Sequence, residues 1–405
     1  MASLTIYAEK FDNAYQEIFQ KVLVGKSICN TRFEPVLKYG ESVERVAFDI
    51  SGVRVRNTVK NTDSTIDPVT DSSELLTINL SKEAVFNIHD DEVVQSGPLN
   101  PGENIGGQVA IKVAADLDAR IFAEVKNAYQ TFDTGDLTTL VSTGVPITLS
   151  TTTTPQMAKR MPAKLRRGAN QVLNNMVFVG DSFALADIEQ YLMGKDIDLA
   201  ASIFANGYSG KMSMGEIYCS ENLTGEALMT FANDASDGDT ITINGVVFTL
   251  KTALSAGPAV AGEVVLGANA DATRVNLAAA INAPGTTSAT FTALSAADQL
   301  VITDTLKLVA TNDASANTLT IVGTGAGRMI LSETFTHADN VWTYNFIHCY
   351  YGKKGAIDLV VQDMKEVDMR VADKSRSTNV FSSYLAGLKT FADGAKKFLD
   401  VKIAC

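Results

Sequence analysis

One stretch, Asn104 to Tyr129, limits the folds open to this chain more than any other. Ile105, Val109, Val113, Leu117, Ile121, Val125 and Tyr129 recur every fourth residue, and Ala110, Ala114 and Phe122 broaden the stripe. Lys112, Asp116, Asp118, Glu124 and Lys126 fall largely on other faces, which is the period of an amphipathic helix. At 1.5 Å per residue it would run about 40 Å, well past the roughly three turns of an ordinary helix. A rod of that length predicts a spine on which separate sub-domains hang.

The chain has 405 residues, enough for a large core divided between two or three domains. Its apolar and charged contents are ordinary for a globular protein, which argues against wholesale disorder. The formal net charge of -12 argues against a surface that seeks nucleic acid or anionic lipid everywhere, and leaves room for one basic face. The start, Met1-Ala-Ser-Leu-Thr-Ile-Tyr-Ala-Glu-Lys10, lacks the basic and apolar regions of a secretory signal, and no run approaches the ~20 apolar residues of a membrane span. Synthesis and folding in a cytoplasm, with no membrane partner, are therefore expected. Cys29, Cys219, Cys349 and Cys405 are scattered with no Cys-x-x-Cys, as reduced or incidental thiols are, and no structural zinc is expected.

Residues Ile6 to Leu23 place Tyr7, Phe11, Tyr15, Ile18, Phe19 and Val22 on one helical face, an aromatic stripe that must cover something. Val43 to Val59 reads as strand, with Val53 and Val55 alternating with Arg54 and Arg56. A polar loop from Asn61 to Ser73 carries Asp67 and Pro68, and Leu75 to Ile88 resumes the alternation. The sum is a long two-stranded arm; two strands alone are marginal in water, so this arm needs a surface to lie on. Thr138 to Thr154 reads as strand and loop, Gln156 to Asn170 as helix, Met176 to Gly180 as buried strand, and Ser182 to Leu192 as a helix capped by Asp181.

Composition shifts near Phe231. From there to Gly327 the chain has three basic residues (Lys251, Arg274, Lys307) and no Tyr or Trp. Asn244-Gly245 between alternating strands predicts a hairpin, Asp271 to Asn282 a short helix, and Leu300 to Val309 and Leu319 to Val322 further strands. This reads as a small self-contained α+β module inserted in the main domain. Beyond it, Val341 to Phe346, Ile357 to Val361 and Lys365 to Ala372 read as strands, and Tyr384 to Lys389 with Phe398 to Ile403 as a closing sheet.

Catalytic signatures are missing. His89, His337 and His348 are isolated in sequence; His89 precedes Asp90 and Asp91, a pairing that an exposed strand end explains better than catalysis. There is no His-Glu-x-x-His, no phosphate loop and no Gly-x-Ser-x-Gly. Gly323-Thr-Gly-Ala-Gly-Arg328 lacks dinucleotide spacing, and Asp234-Ala-Ser-Asp-Gly-Asp239 departs from calcium-loop spacing and reads as a turn. No enzyme activity, metal or cofactor is expected. The one sharp electrostatic feature is Lys159, Arg160, Lys164, Arg166 and Arg167 in one short span, a candidate contact for DNA phosphates or an acidic neighbouring subunit, or else a solvated helix face.

Several stretches, in order, resemble the major capsid proteins of tailed bacteriophages with the Hong Kong 97-type fold. Asn30-Thr-Arg-Phe-Glu-Pro-Val-Leu-Lys-Tyr-Gly-Glu-Ser-Val43 resembles the end of the family's N-terminal arm, the strand-loop-strand its extended loop, and Asn104 to Tyr129 its spine helix. Gly207-Tyr-Ser-Gly-Lys211 and Ile217-Tyr-Cys-Ser-Glu-Asn-Leu223 are similar to its axial domain, and Tyr384-Leu-Ala-Gly-Leu-Lys389 to its last peripheral strands. The insert, with Asp237-Gly-Asp-Thr-Ile-Thr-Ile-Asn-Gly245, resembles small domains of virion proteins.

The resemblance implies an α+β fold with N-terminal arm and helix (1–42), extended β-hairpin loop (43–96), spine helix and peripheral domain (97–155), axial domain (156–230), insertion domain (231–327) and a return to both domains (328–405). It implies a structural role in the virion, with copies made in a bacterial host cytoplasm and joined as hexamers and pentamers into an icosahedral shell around double-stranded DNA. Portal and scaffold or decoration proteins would be further partners. Phe11, Tyr15, Phe19, Arg54, Arg56, Asp67 and Pro68 are the candidate inter-subunit residues. Alternatives are an encapsulin-like compartment shell and a phage tail or baseplate protein.

Overall fold

The computed structural model describes residues 24–35, 37, 39–49, 52–57, 60, 63, 66–89, 101–169, 175–193, 211, 212, 215–371 and 377–405. The predicted helix Ile6 to Leu23, with Phe11, Tyr15 and Phe19, lies outside the described residues, as does Gly207 to Gly210. In chain order the strands are β1 (Ser42–Asp49), β2 (Thr70–His89), β3 (Gln130–Phe132), β4 (Met176–Gly180), β5 (Lys211–Met212), β6 (Gly215–Cys219), β7 (Thr224–Thr230), β8 (Thr240–Ile243) and β9 (Val246–Lys251). They continue with β10 (Glu263–Val265), β11 (Leu308–Asp313), β12 (Thr318–Gly323), β13 (Leu331–Glu333), β14 (Val341–Lys353), β15 (Asp358–Val371), β16 (Ser377–Lys389) and β17 (Phe398–Ala404). With the helices, this is a mixed α+β chain. No helix among the described residues is long and apolar enough to cross a membrane.

The chain divides into two compact units. The first holds a four-stranded antiparallel sheet in the order β1-β2-β16-β15. Its core gathers Leu37, Leu76, Val360 and Phe391, with Phe33, Val43 and Ile78 against them. The segment from Asn30 to Gly40 runs along the open edge of β15. Leu359 N–H donates to Asn30 O at 3.0 Å, and the Gln362 amide donates to the carbonyls of Leu37 and Gly40 at 2.7 and 2.8 Å. The first of these bonds satisfies a backbone edge group that would otherwise template another strand, and the Gln362 side chain ties the segment alongside.

In this unit β2 changes partner along its length. Thr70 to Thr77 pair with β1, and Ile78 to His89 pair with β16. At the handover Gly387 leaves room that no other residue would: a Cβ there would stand 2.7 Å from Thr77 O. The predicted two-stranded arm is thus corrected in its lower half, where β2 belongs to a four-stranded sheet. The predicted strand to Val59 ends at Asp49, and Val53 to Asn57 carry no ladder bonds. The two predicted strands Ile357–Val361 and Lys365–Ala372 are one, β15.

The second unit is built on a nine-stranded sheet whose path runs β11-β12-β7-β14-β4-β6-β5, with β17 on β14 and β3 on β17. β14 is its hub, pairing with β7 and then β4 along its length and with β17 throughout Phe346 to Gly352. Strands β16 and β17, predicted as one closing sheet, lie in different sheets. A second sheet, β10-β9-β8-β13, carries the predicted hairpin, whose turn residues Asn244 and Gly245 both adopt positive φ (47° and 86°). Leu250, Phe248, Ile241, Leu277, Ile281 and Ile321 pack between that sheet, the helix Ala270–Asn282 and the larger sheet. The predicted strand from Leu300 to Val309 is instead helical through Thr305 and becomes strand only at Leu308. Between Thr138 and Thr152 no strand forms; Ile147 makes a single bridge to Ile403.

The long helix starts at Pro101, a residue suited to a first turn because it has no N–H to satisfy, and ends at Ala123. Its 23 residues give about 35 Å, and a 3-10 turn from Glu124 to Asn127 follows. Val113, Leu117, Ile121, Phe122 and Val125 are buried, as the stripe predicts. Tyr129 lies beyond the helix and is 61% exposed.

Asp118 departs from the predicted polar face: it is buried and accepts from Gly25 N at 2.9 Å and Val24 N at 3.3 Å. Burial raises its pKa to about 6 against the pull of those two N–H groups. The folded value stands above the ordinary 3.8, so this carboxyl favours the folded state fully below pH 3.8 and loses that contribution as pH rises through about 6. Asp118→Asn removes the titration, so the wild type should gain melting temperature relative to the variant as pH falls from about 7.5 to about 5. An unchanged difference across a pH series of thermal melts would show that the carboxyl is not buried.

Candidate functional site

The first candidate surface is the upper half of the arm. With β1 on one side and no other strand along Thr70 to Thr77 among the described residues, β1 and β2 form an eight-pair ribbon. Val46 and Leu75 are about half exposed on it, although valine and leucine on a one-sided sheet ordinarily face a core. Toward the tip Val55 is fully exposed, Ile66 is 92% exposed, and Val53 and Val69 are half exposed.

The tip is nonetheless ordered by one carboxylate. Asp67 accepts from Arg54 N at 2.8 Å and from the Arg56 guanidinium at 2.5 Å, tying the rising and returning chains together. Thus Arg56 and Asp67 pair with each other, Arg54 contributes its backbone, and the neighbouring Pro68 is exposed. The polar stretch from Asn61 to Ser73 marks the tip in sequence, whereas the alternation of Val and Arg reads as strand where none forms, and the Arg56–Asp67 clasp has no sequence signal.

The second candidate surface is the helix Thr153–Ala169. Met157, Ala158, Met161, Lys164 and Leu165 are buried, whereas Lys159, Arg160, Arg166 and Arg167 are exposed. A 100° step per residue puts 159, 160, 163, 166 and 167 together on one face and 157, 161, 164 and 165 on the other.

Lys164 is therefore a correction to the predicted basic span. Its ammonium reaches inward to Asp136 Oδ1 at 2.5 Å, Ser142 Oγ at 2.7 Å and the carbonyl of Thr131. Asp136 closes a capping box on the turn Thr134–Leu137 with Asp133, which accepts from the N–H groups of Gly135, Thr143 and Gly144. The two buried carboxylates and the buried lysine brace the loop that follows β3, and the lysine is withdrawn from any partner outside.

A third cluster escaped the sequence reading. His348, expected to be isolated, is buried on β14 between two carboxylates: Nδ1 lies 2.8 Å from Asp400 Oδ1, and Nε2 lies 3.3 Å from Glu226 Oε2. Lys126 joins Glu226 from the far side at 2.5 Å. Both ring nitrogens face carboxylate acceptors, an arrangement that favours the imidazolium, which can donate from each. Burial disfavours that charge, yet Asp400 and Glu226 hold the pKa of His348 above its usual value. Burial likewise pushes Glu226 up, but His348 and Lys126 outweigh it and bring the pKa down to about 2. A histidine inside the apolar run Phe346 to Tyr351 was the available signal, because a buried imidazole needs partners. With both nitrogens engaged the ring is a brace linking β7, β14 and β17. No three His, Cys, Asp or Glu side chains cluster as a metal site would require, among the described residues.

Neither a family model nor a curated protein matches this chain. Its fold is similar to solved phage structures. One titled for Mycobacterium phage Che8 has a TM-score of 0.44 at 13% identity, covering 94% of this chain and 90% of that one. The mature capsid of bacteriophage PhiM1 also has a TM-score of 0.44, at 12% identity, with coverages of 90% and 82%. The capsid of cyanophage P-SCSP1u has a TM-score of 0.39 at 11% identity, with coverages of 89% and 83%.

Proposed function

We propose that this chain is the major capsid protein of a tailed bacteriophage, with the Hong Kong 97-type arrangement of arm, extended loop, spine helix, peripheral and axial domains. Many copies join as hexamers and pentamers into an icosahedral head around double-stranded DNA. The observation that carries this reading is the β1–β2 ribbon: Val46, Val55, Ile66, Val69 and Leu75 stand exposed on an element whose own tip is clasped by Asp67. An ordered element showing apolar side chains to water is stabilised further when a sister copy covers it. The order of the sequence resemblances agrees with it.

In this reading the ribbon is the extended loop, and the helix from Pro101 to Ala123 is the spine. Residues 231–327 form an insertion domain. The N-terminal segment with Phe11, Tyr15 and Phe19 provides further contacts between copies. Portal and scaffold or decoration proteins complete the head, the chain resides in the virion after assembly in the host cytoplasm, and no side-chain chemistry is used. Negative-stain micrographs of the purified protein should show closed shells. Tubes, rings or a monodisperse monomer at high concentration would overturn the proposal.

A further inference from the structure

We propose that Lys159, Arg160, Arg166 and Arg167 form a stripe that docks the phosphodiester backbone of duplex DNA. The inference rests on the shell reading above and deepens it, because it assigns this helix to the surface that meets the enclosed genome.

The four cations occupy one exposed face of a 17-residue helix, and none is ion-paired with a carboxylate among the described residues. In a chain of net charge -12 such a segregated cationic stripe stands against the background of the molecule. Arg166 and Arg167 lie in the last turn, where the helix dipole alone would favour them. Lys159 and Arg160 sit two turns earlier, where it gives no such advantage.

The remaining residues of that face are Gln156 and Ala163, so it offers no large apolar side chain. Protein interfaces are built around apolar and aromatic anchors with charge depleted from their centres, as the Val and Leu of the ribbon would supply. A purely cationic face lacks such an anchor and suits a wet, polyanionic partner. The two pairs of cations are seven residues apart, or about 10.5 Å along the helix, the rise of roughly three phosphates along one DNA strand. Three of the four are arginines, whose fork matches phosphate oxygens. On the opposite face Lys164 bonds Asp136, so the helix presents the stripe from a braced base.

The test is fluorescence anisotropy of two unrelated fluorescein-labelled duplexes of about 30 base pairs, titrated with the full chain between about 50 and 200 mM salt. Wild type should bind both equally, with a slope of log K against log salt of about -3.6 for four contacts. K159Q/R160Q and R166Q/R167Q should each lower that slope by about two, and the quadruple variant should bring it near zero. R166K/R167K should retain the wild-type slope, because the slope counts charges. A quadruple variant that keeps the wild-type slope overturns the proposal. So does one that binds DNA normally but no longer assembles in micrographs, which would make the stripe a contact between copies. Failure of the shell reading is seen separately, as wild-type protein that forms no shells.

Discussion

Val55→Asp combined with Ile66→Asp should abolish shells while leaving the subunit melting within a few degrees of wild type. Both side chains are almost wholly exposed in the subunit, so replacing them removes no internal packing. Surface changes of this kind usually alter stability by no more than about 0.5 kcal/mol each. In the proposed shell the same positions would lie against a neighbouring copy. Each apolar side chain covered there contributes about 1.5–3 kcal/mol, and an unpaired carboxylate in its place adds a desolvation cost. Two positions together weaken each contact by at least about 3–6 kcal/mol, a factor of more than 100 in affinity, repeated at every copy. Thermal melts of the subunit and electron micrographs of the same sample read the two halves of the expectation. Normal shells from the double variant would remove the ribbon from the assembly surface, and a subunit that unfolds would show that the ribbon belongs to its core.

His348→Ala should lower the melting temperature of the second unit by roughly 10 °C, the largest effect expected from one side chain outside the apolar core. The substitution leaves Asp400 buried and Glu226 largely buried without the cation between them, a change that costs about 3–5 kcal/mol when one partner of a buried ion pair is removed. Its pH dependence follows from the two shifted groups. The folded pKa of His348 is raised above 6.5, so its contribution is complete below 6.5 and is lost as pH rises through the folded value. Glu226 is depressed to about 2, so its contribution is complete above 4.5 and is lost as pH falls through about 2. The difference between wild type and variant is therefore greatest from pH 4.5 to 6.5 and narrows on both sides. A pH series of differential scanning calorimetry checks this; a difference that is flat with pH would mean the ring is neutral in the fold.

Several elements were legible because their signals are local. The stripe from Val113 to Val125 faces inward as its period requires, the Asn244-Gly245 turn sits where its dihedral freedom is needed, and Asp181 caps the helix Ser182–Met193, accepting from Ala184 N at 2.9 Å. Misreadings have local causes too. Val301 and Ile302 suggest strand, yet packing of Ile302 in the core of the second unit holds the segment helical, as tertiary contacts override weak propensity. Counting charges along the span groups Lys164 with its neighbours, whereas the 100° helical step sets it on the packed face. Residue type alone puts Asp118 on a polar face, whereas its buried carboxyl accepts from the N–H groups of Val24 and Gly25.

The chain's residues by themselves determined the long helix, the alternating stretches of β1, β2, β8 and β9, the capped helix and the cationic span, since each depends on side chains only a few positions apart. What only the tertiary structure decided were the partnerships. It settled that β2 leaves β1 for β16 halfway along, that His348 meets Glu226 across 122 residues, that Asp118 reaches back 93 residues to Gly25, and that Lys164 turns inward. The physical reason is that a buried charge or an open strand edge states a need for a partner without naming it. The partner is chosen by the packing that brings distant segments within bonding distance.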